Sequence, residues 1–287
     1  MTERKAFFVG GSGRSGTTIL FKSLASHPQL YCSVGREIQF FGAFPGSLGD
    51  LVSPYIYGPA YEFREKLMSS LGLVEHQLFY SRVGRNLVAR RTKGVVRKNL
   101  HHLFGGLIDG KVARDERAVW DHLGRYLFAI FADGGDRVWV EKTPWNCLWF
   151  DKLRLAFPGC QCIFIYRDPR DVVDSMSEQP WVRGGFDGAL AYYARWLLSW
   201  ERTKSRIGHE NSWYHEVQYE RLMAMPSEWP RLLERCSLSP MKRPDFALRH
   251  PRRFDSWSNA QRASMDKLLR SSAEARRFLY FPWKGCS

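Results

Sequence analysis

The sequence predicts an α/β fold: a central, mostly parallel sheet flanked by helices, with a helical insertion after the second strand. Three observations point there. Short apolar runs alternate with amphipathic stretches along the chain, as in strand–helix–strand units that build a parallel sheet. Two of these runs pass directly into a turn and a helix start that carry arginine, at residues 10–18 and 166–175. The chain has 287 residues, 44% hydrophobic and 15% aromatic, and shows no internal repeat, low-complexity tract or linker, so residues 1–287 read as a single domain with a sizeable core.

Each element has its own signal. Ala6–Val9 is a short apolar strand, and Thr17–Ser26 is the helix that follows a glycine-rich loop. Leu30–Ser33 is the second strand. Residues 46–130 carry few strand signals and many arginines, lysines and aromatics, and are read as the helical insertion, which shapes a substrate pocket. Val138–Val140 is the third strand. Trp145–Phe157 is helical up to the stop signal Pro158-Gly159. Cys162–Tyr166 is the fourth strand. Pro169–Ser177 is a helix with proline in its first turn, where a missing N–H costs nothing. Phe186–Ile207 is a long helix whose Leu190, Tyr193, Trp196, Leu197 and Trp200 form a core-facing stripe. Trp213–Val217 is the fifth strand. In such sheets ligands bind beyond the carboxyl ends of the strands.

The first loop carries the most chemistry. Consecutive backbone N–H groups followed by a helix N-terminus form a cradle for an anion. The common nucleotide loop reads G-x-x-x-x-G-K-[ST]. Here Gly11 to Thr18 reads G-S-G-R-S-G-T-T. Thr17 stands at the lysine position, and a cation sits upstream at Arg14. Such a loop suits a 5′-phosphate and is poorly equipped for a magnesium triphosphate. The second strand end reads Arg167-Asp168-Pro169-Arg170-Asp171, with Ser175 eight residues beyond Arg167. A guanidinium at the strand end and a hydroxyl two turns into the helix can grip a second phosphate.

Bulk properties narrow the field. The net charge of +14 attracts anions without choosing among nucleic acid, membrane surface and a phosphorylated small molecule. No run of about 18 apolar residues predicts a membrane span, and Met1–Arg4 is too short for a signal peptide, so a cytoplasmic protein is expected. The six cysteines show neither metal spacing nor a small-domain disulfide framework and are read as reduced thiols. Cys160-x-Cys162 is read as lying in a strand, with its side chains on opposite faces.

The two loops together resemble the signatures of the PAPS-dependent sulfotransferases. F-F-V-G-G-S-G-R-S-G-T-T-I-L is similar to that family's 5′-phosphosulfate loop, and I-F-I-Y-R-D-P-R-D-V-V-D-S to its 3′-phosphate signature. The resemblance implies a fold related to the P-loop kinases and a donor, 3′-phosphoadenosine 5′-phosphosulfate (PAPS), with adenosine 3′,5′-bisphosphate (PAP) as product and no metal. It implies that Gly13, Arg14, Ser15, Gly16, Thr17 and Thr18 hold the 5′-phosphate, and that Arg167 and Ser175 hold the 3′-phosphate. Ser33–Phe41, with Arg36-Glu37, resembles the K-E-x-x-F-F segment of the carbohydrate and tyrosyl-protein type, which implies that Glu37 is the catalytic base; Arg36 departs from the lysine. Glu141–Asn146 resembles the K-T-P segment, which implies that Lys142 contacts the transferring group beside Arg14. Val217–Leu222 is similar to the Y-E-D-L segment, with Arg221 in place of its acid, and is taken as structural. The resemblance covers residues 5–45 and 138–225, the expected donor-binding core.

Alternatives stay open. His101, His102 and His122 are rival bases, because the small-molecule branch of that family uses a histidine; His27 reads as a turn residue. Arg170 and Asp171 read as a solvated pair. Arg82, Arg85, Arg90, Arg91, Lys93, Arg97 and Lys98 read either as a solvated basic face or as a lip for an acidic acceptor. The nearby Phe40, Phe41, Phe44, Tyr55, Tyr57, Tyr61 and Phe63 read either as core or as a stacking surface, and Arg249–Trp257 as a loop over the nucleotide. The expected acceptor is a hydroxyl of a small metabolite, natural product or glycan, and no nucleic-acid motif is present. A P-loop-type kinase or a phosphate-ester-binding protein is the rival function.

Overall fold

A computed structural model describes residues 4–32, 37, 49–59, 61–63, 65–68, 93–132, 135–208, 212–246 and 256–280. Five parallel strands form its sheet: β1 (Ala6–Gly10), β2 (Leu30–Tyr31), β3 (Val138–Lys142), β4 (Gln161–Tyr166) and β5 (Tyr214–Gln218). Their spatial order is β2-β3-β1-β4-β5. β1 lies at the centre, pairing Phe8 with Glu141 on one side and with Cys162 on the other. The chain therefore reverses its direction of travel across the sheet at β1. The loops after β1 and β4 open at neighbouring strand ends, where ligands of such sheets bind.

Period-two alternation assigns the strand residues to two cores. Phe7, Val9, Ile163 and Ile165 face helix α1 (Thr17–Ala25), whose Leu20, Phe21 and Leu24 pack on them. Ala6, Phe8, Cys162 and Phe164 face the opposite core. There Phe8 meets Trp139 edge-to-face at 5.6 Å, and Phe164 stacks on Trp200 at 3.9 Å. Burying each such ring contributes about 1.5–3 kcal/mol. β1 is buried along its whole length, as a strand covered on both faces must be.

Between β2 and β3 the described elements are helical: α2 (Gly49–Tyr57), α3 (Lys93–Ile108) and α4 (Glu116–Phe131). Asp115 caps α4 by accepting from the Ala118 N–H. After β3 come α5 (Phe150–Ala156), α6 (Pro169–Ser177), α7 (Gly185–Ile207), α8 (Tyr219–Ala224), α9 (Glu228–Arg235), α10 (Asn259–Ser271) and α11 (Ala273–Arg277).

Three expectations need correction. The helix expected over residues 145–157 is a 3₁₀ segment, Pro144–Trp149, followed by α5. Thr203 of α7 donates to the Leu148 carbonyl, and Trp149 leaves the helical region at φ −128°, so no single ladder runs through. The second strand is two residues long in the described part, with residues 33–36 outside it. Cys160 precedes β4, and its Sγ lies 3.9 Å from that of Cys162, so the two thiols share a face. Residues two apart along an extended chain do so.

Candidate functional site

The loop from Gly11 to Gly16 is pressed between two strand ends. The Gly11 N–H donates to the Pro144 carbonyl at 2.8 Å, and a Cβ at Gly11 would stand 2.2 Å from the Ile165 carbonyl oxygen. The Ser15 hydroxyl donates back to the Ser12 carbonyl at 2.7 Å, closing a tight turn. Arg14 at φ 71° and Gly16 at φ 97° take the left-handed conformation. That conformation turns successive N–H groups toward one side, which makes an anion nest. The N-cap of α1 is Gly16, which has no side chain to cap the helix, and the positive dipole end of α1 faces the same space.

That space is a cavity of about 190 Å³ lined by Arg14, Gly16, Thr17, Thr18, Ile19, Arg167, Ser175 and Tyr219. Sequence positions some 150 residues apart meet here: Arg14 Nε donates to the Ser175 hydroxyl at 3.0 Å, and Arg167 Nη1 to the Arg14 carbonyl at 3.4 Å. The Arg167 guanidinium lies 4.8 Å over the Tyr219 ring, a cation–π contact, and 3.4 Å from Asp171. Its Nε is buried and has no hydrogen-bond partner among the described residues. Arg170 and Asp171 are therefore not a solvated pair with each other. Arg170 grips Asp168 through Nε at 2.9 Å and Nη2 at 2.6 Å, while Asp171 faces Arg167.

At the end of β3, Lys142 is buried and bridges two groups. Its Nζ donates to Glu37 Oε1 at 2.6 Å and to the Thr18 hydroxyl at 3.3 Å. Lys142 thus ties Glu37 to the helix start that forms the cavity wall. Beneath it, Glu141 is 2% exposed and accepts from the Thr143 hydroxyl at 2.7 Å and from Asn146 Nδ2. Asn146 also reaches the Val9 carbonyl at 3.4 Å, linking the Lys142 segment to the strand that feeds the loop.

The histidines lie elsewhere. His27 is buried and turn-bound, with Nε2 2.9 Å from the Ser239 carbonyl and Nδ1 accepting from the Gln29 N–H. His122 pairs with the Leu103 carbonyl at 2.8 Å, and burial holds its pKa below the ordinary value. His102 stacks on Tyr126 at 5.9 Å, beside His101. None of them lines the cavity. Arg36, Phe40, Phe41, Phe44, Arg82, Arg85, Arg90, Arg91 and residues 249–255 lie outside the described residues, as do the side chains of Lys93 and Arg97; Lys98 is exposed.

Sequence reasoning missed Tyr219 as a cavity wall and Glu220 beneath it. Glu220 Oε1 accepts the Asp168 N–H at 2.9 Å, and burial raises its pKa to about 7. The available signal was positional: both follow the carboxyl end of β5, the edge where the other site residues lie.

Among the described residues no helix is long and apolar enough to cross a membrane, and no group of three or more histidine, cysteine, aspartate or glutamate side chains forms a metal site.

Comparison with known proteins bears on this geometry. A protein of Caenorhabditis elegans named as a protein-tyrosine sulfotransferase is 27% identical over 90 residues, 31% of this chain and 35% of that protein. The chain thus matches about a third of that relative's length. The sulfotransferase domain of the Synechococcus olefin synthase superposes with a TM-score of 0.50 at 17% identity, covering 98% of this chain and 90% of that one. A sulfotransferase from Mycobacterium avium gives 0.47 at 17% identity, covering 95% and 78%. The model of the sulfotransferase family matches residues 62–242, a span that holds β3, β4, β5 and the Arg167 loop. That span is well over half of the sequence, and the chain belongs to the sulfotransferase family.

Proposed function

We propose that the protein transfers a sulfuryl group from PAPS to a hydroxyl of a small metabolite, natural product or glycan. The observation that carries this reading is one cavity that gathers candidate anion-binding groups from two strand-end loops: Arg14 and the start of α1 from the first, Arg167 and Ser175 from the second, with Arg14 Nε donating to the Ser175 hydroxyl across them. A donor with a 5′-phosphosulfate and a 3′-phosphate needs both. Arg167 Nε, unpartnered among the described residues, and the start of α1, whose N-cap is a glycine, offer donors that such an anion would satisfy.

In this reading the amides of Gly13 to Thr18, with Arg14 and the Thr17 and Thr18 hydroxyls, hold the 5′-phosphate. Arg167 and Ser175 hold the 3′-phosphate. The acceptor oxygen attacks sulfur in line as the bond from sulfur to the 5′-phosphate oxygen breaks. The acceptor proton passes to a Glu37 carboxylate oxygen, and the bridging electron pair stays on the 5′-phosphate of PAP. Lys142 and Arg14 offset the charge that develops there, and such fixed charges act strongly in a dry site. Lys142 lies against both Glu37 and Thr18, so one ammonium touches the base and the leaving-group cradle.

The test is turnover with PAPS against a panel of phenols, sugars, nucleosides and lipids, read by mass spectrometry. Wild type sulfates at least one class, and Glu37→Gln lowers kcat by about 10²–10⁴-fold while PAP binding stays near wild type. A glutamine variant with full activity overturns the base assignment.

A further inference from the structure

The donor-site roles leave Glu220 without an explanation. It is 4% exposed at the start of α8, directly after the Tyr219 ring that lines the cavity. Oε1 is held by the Asp168 N–H at 2.9 Å, while Oε2 is buried with no hydrogen-bond partner among the described residues. A bare carboxylate oxygen in such a place is costly, and a proton relieves the cost. Burial accordingly raises its pKa to about 7, against the pull of the Asp168 amide and the Arg167 charge.

Among the described residues, the charged and titratable groups that act on it come from three neighbouring elements and a turn. Arg167 and Asp168 stand on the turn before α6, Arg170 on α6, Tyr166 on β4 and Tyr193 on α7. The Asp168 carboxylate is itself engaged by Arg170 and by the Tyr280 N–H at 3.1 Å. Arg167 is the cation shared by Glu220 and the cavity.

We infer that Glu220 is a positioning residue for the donor's 3′-phosphate, taking up a proton from solvent when that phosphate engages Arg167 and returning it when PAP leaves. The inference rests on the donor reading above. The Arg167 charge favours the Glu220 carboxylate; a phosphate dianion on Arg167 cancels that charge and adds repulsion. Protonated Glu220 still accepts the Asp168 N–H through Oε1, so the turn that carries Arg167 keeps its anchor. PAP affinity then rises as pH falls from 8.5 to 6.5, a range above the second phosphate pKa of about 6, where each of its two phosphates is mostly dianionic.

The test is calorimetric titration of the full chain with PAP at pH 7.5 in Tris and in HEPES, whose ionisation enthalpies differ. Wild type takes up about half a proton per PAP, and its affinity falls about fivefold between pH 6.5 and 8.5. Glu220→Gln takes up none and has a flat profile; Glu220→Met gives the same result should the glutamine variant not fold. Binding without uptake in wild type, or wild-type uptake in a folded Glu220 variant, overturns the inference and leaves the donor reading intact. No binding of PAP to wild type overturns both.

Discussion

Gly16→Ala tests the contact between the first loop and the Tyr219 ring that carries Arg167. Gly16 sits at φ 97°, and a Cβ there would stand 2.4 Å from Cδ2 and 2.9 Å from Cε2 of Tyr219. Ordinary contact begins near 3.4 Å, so the ring must move by about 1 Å. Tyr219 is 5% exposed and carries the Arg167 guanidinium, so it cannot move alone. The left-handed backbone costs an L-residue about 1–2 kcal/mol, and the overpacking about 1–3 kcal/mol more. Together these predict a loss of about 2–5 kcal/mol, or, with an unfolding entropy of about 0.6 kcal/mol/K for 287 residues, a fall in Tm of roughly 3–8 °C. Because Arg167 moves with the ring, PAP binding weakens by at least about tenfold, the worth of one charged hydrogen bond. Gly105→Ala is the control. Its Cβ meets nothing within 4 Å, and it lies inside α3, so it stabilises by about 0.5–1 kcal/mol. Differential scanning fluorimetry with and without PAP reads both. A Gly16→Ala protein with wild-type Tm and PAP affinity would refute the loop–Tyr219–Arg167 stack.

Two further predictions concern the scaffold. His215 is 6% exposed, with Nε2 2.6 Å from Gln161 Oε1, and burial lowers its pKa to about 4. Its neutral form contributes stability that is fully present above the unfolded pKa of about 6.5 and is lost as pH falls toward 4, about 2 kcal/mol by pH 5. Urea denaturation at pH 7.5 and 5 shows this loss in wild type and a smaller one in His215→Gln; equal losses contradict the assignment. Gly124 lets α4 press on the end of α5, where a Cβ would stand 2.0 Å from the Ala156 carbonyl oxygen. A backbone carbonyl cannot swing aside, so Gly124→Ala lowers the unfolding free energy by about 3 kcal/mol, read from the urea midpoint. An unchanged midpoint contradicts that packing.

The parallel sheet and both strand-end loops were legible because their signals are local. An apolar run, a glycine cluster and a helix start occupy adjacent positions at Ala6–Thr18 and again at Cys162–Ser175. The split of the predicted 145–157 helix was not, because the residue that takes the Leu148 carbonyl, Thr203, lies 55 positions away. Glu220 was passed over for the same reason: its partner Asp168 is 52 residues upstream, and no spacing rule links them. The pairing of Arg170 with Asp168, against the expected Arg170–Asp171 pair, reflects Asp168 capping α6, which turns its carboxylate toward Arg170. Lys142 was legible through its K-T-P context, but its contact with Thr18 depends on β1 and β3 lying side by side.

Calorimetric titration of the wild-type chain with PAP in EDTA, set beside the same titration with magnesium-ATP, tests the central claim most directly. The proposed donor reading predicts saturable, one-to-one binding of PAP without metal, lost in Arg167→Ala. Binding of magnesium-ATP with no binding of PAP would contradict the account.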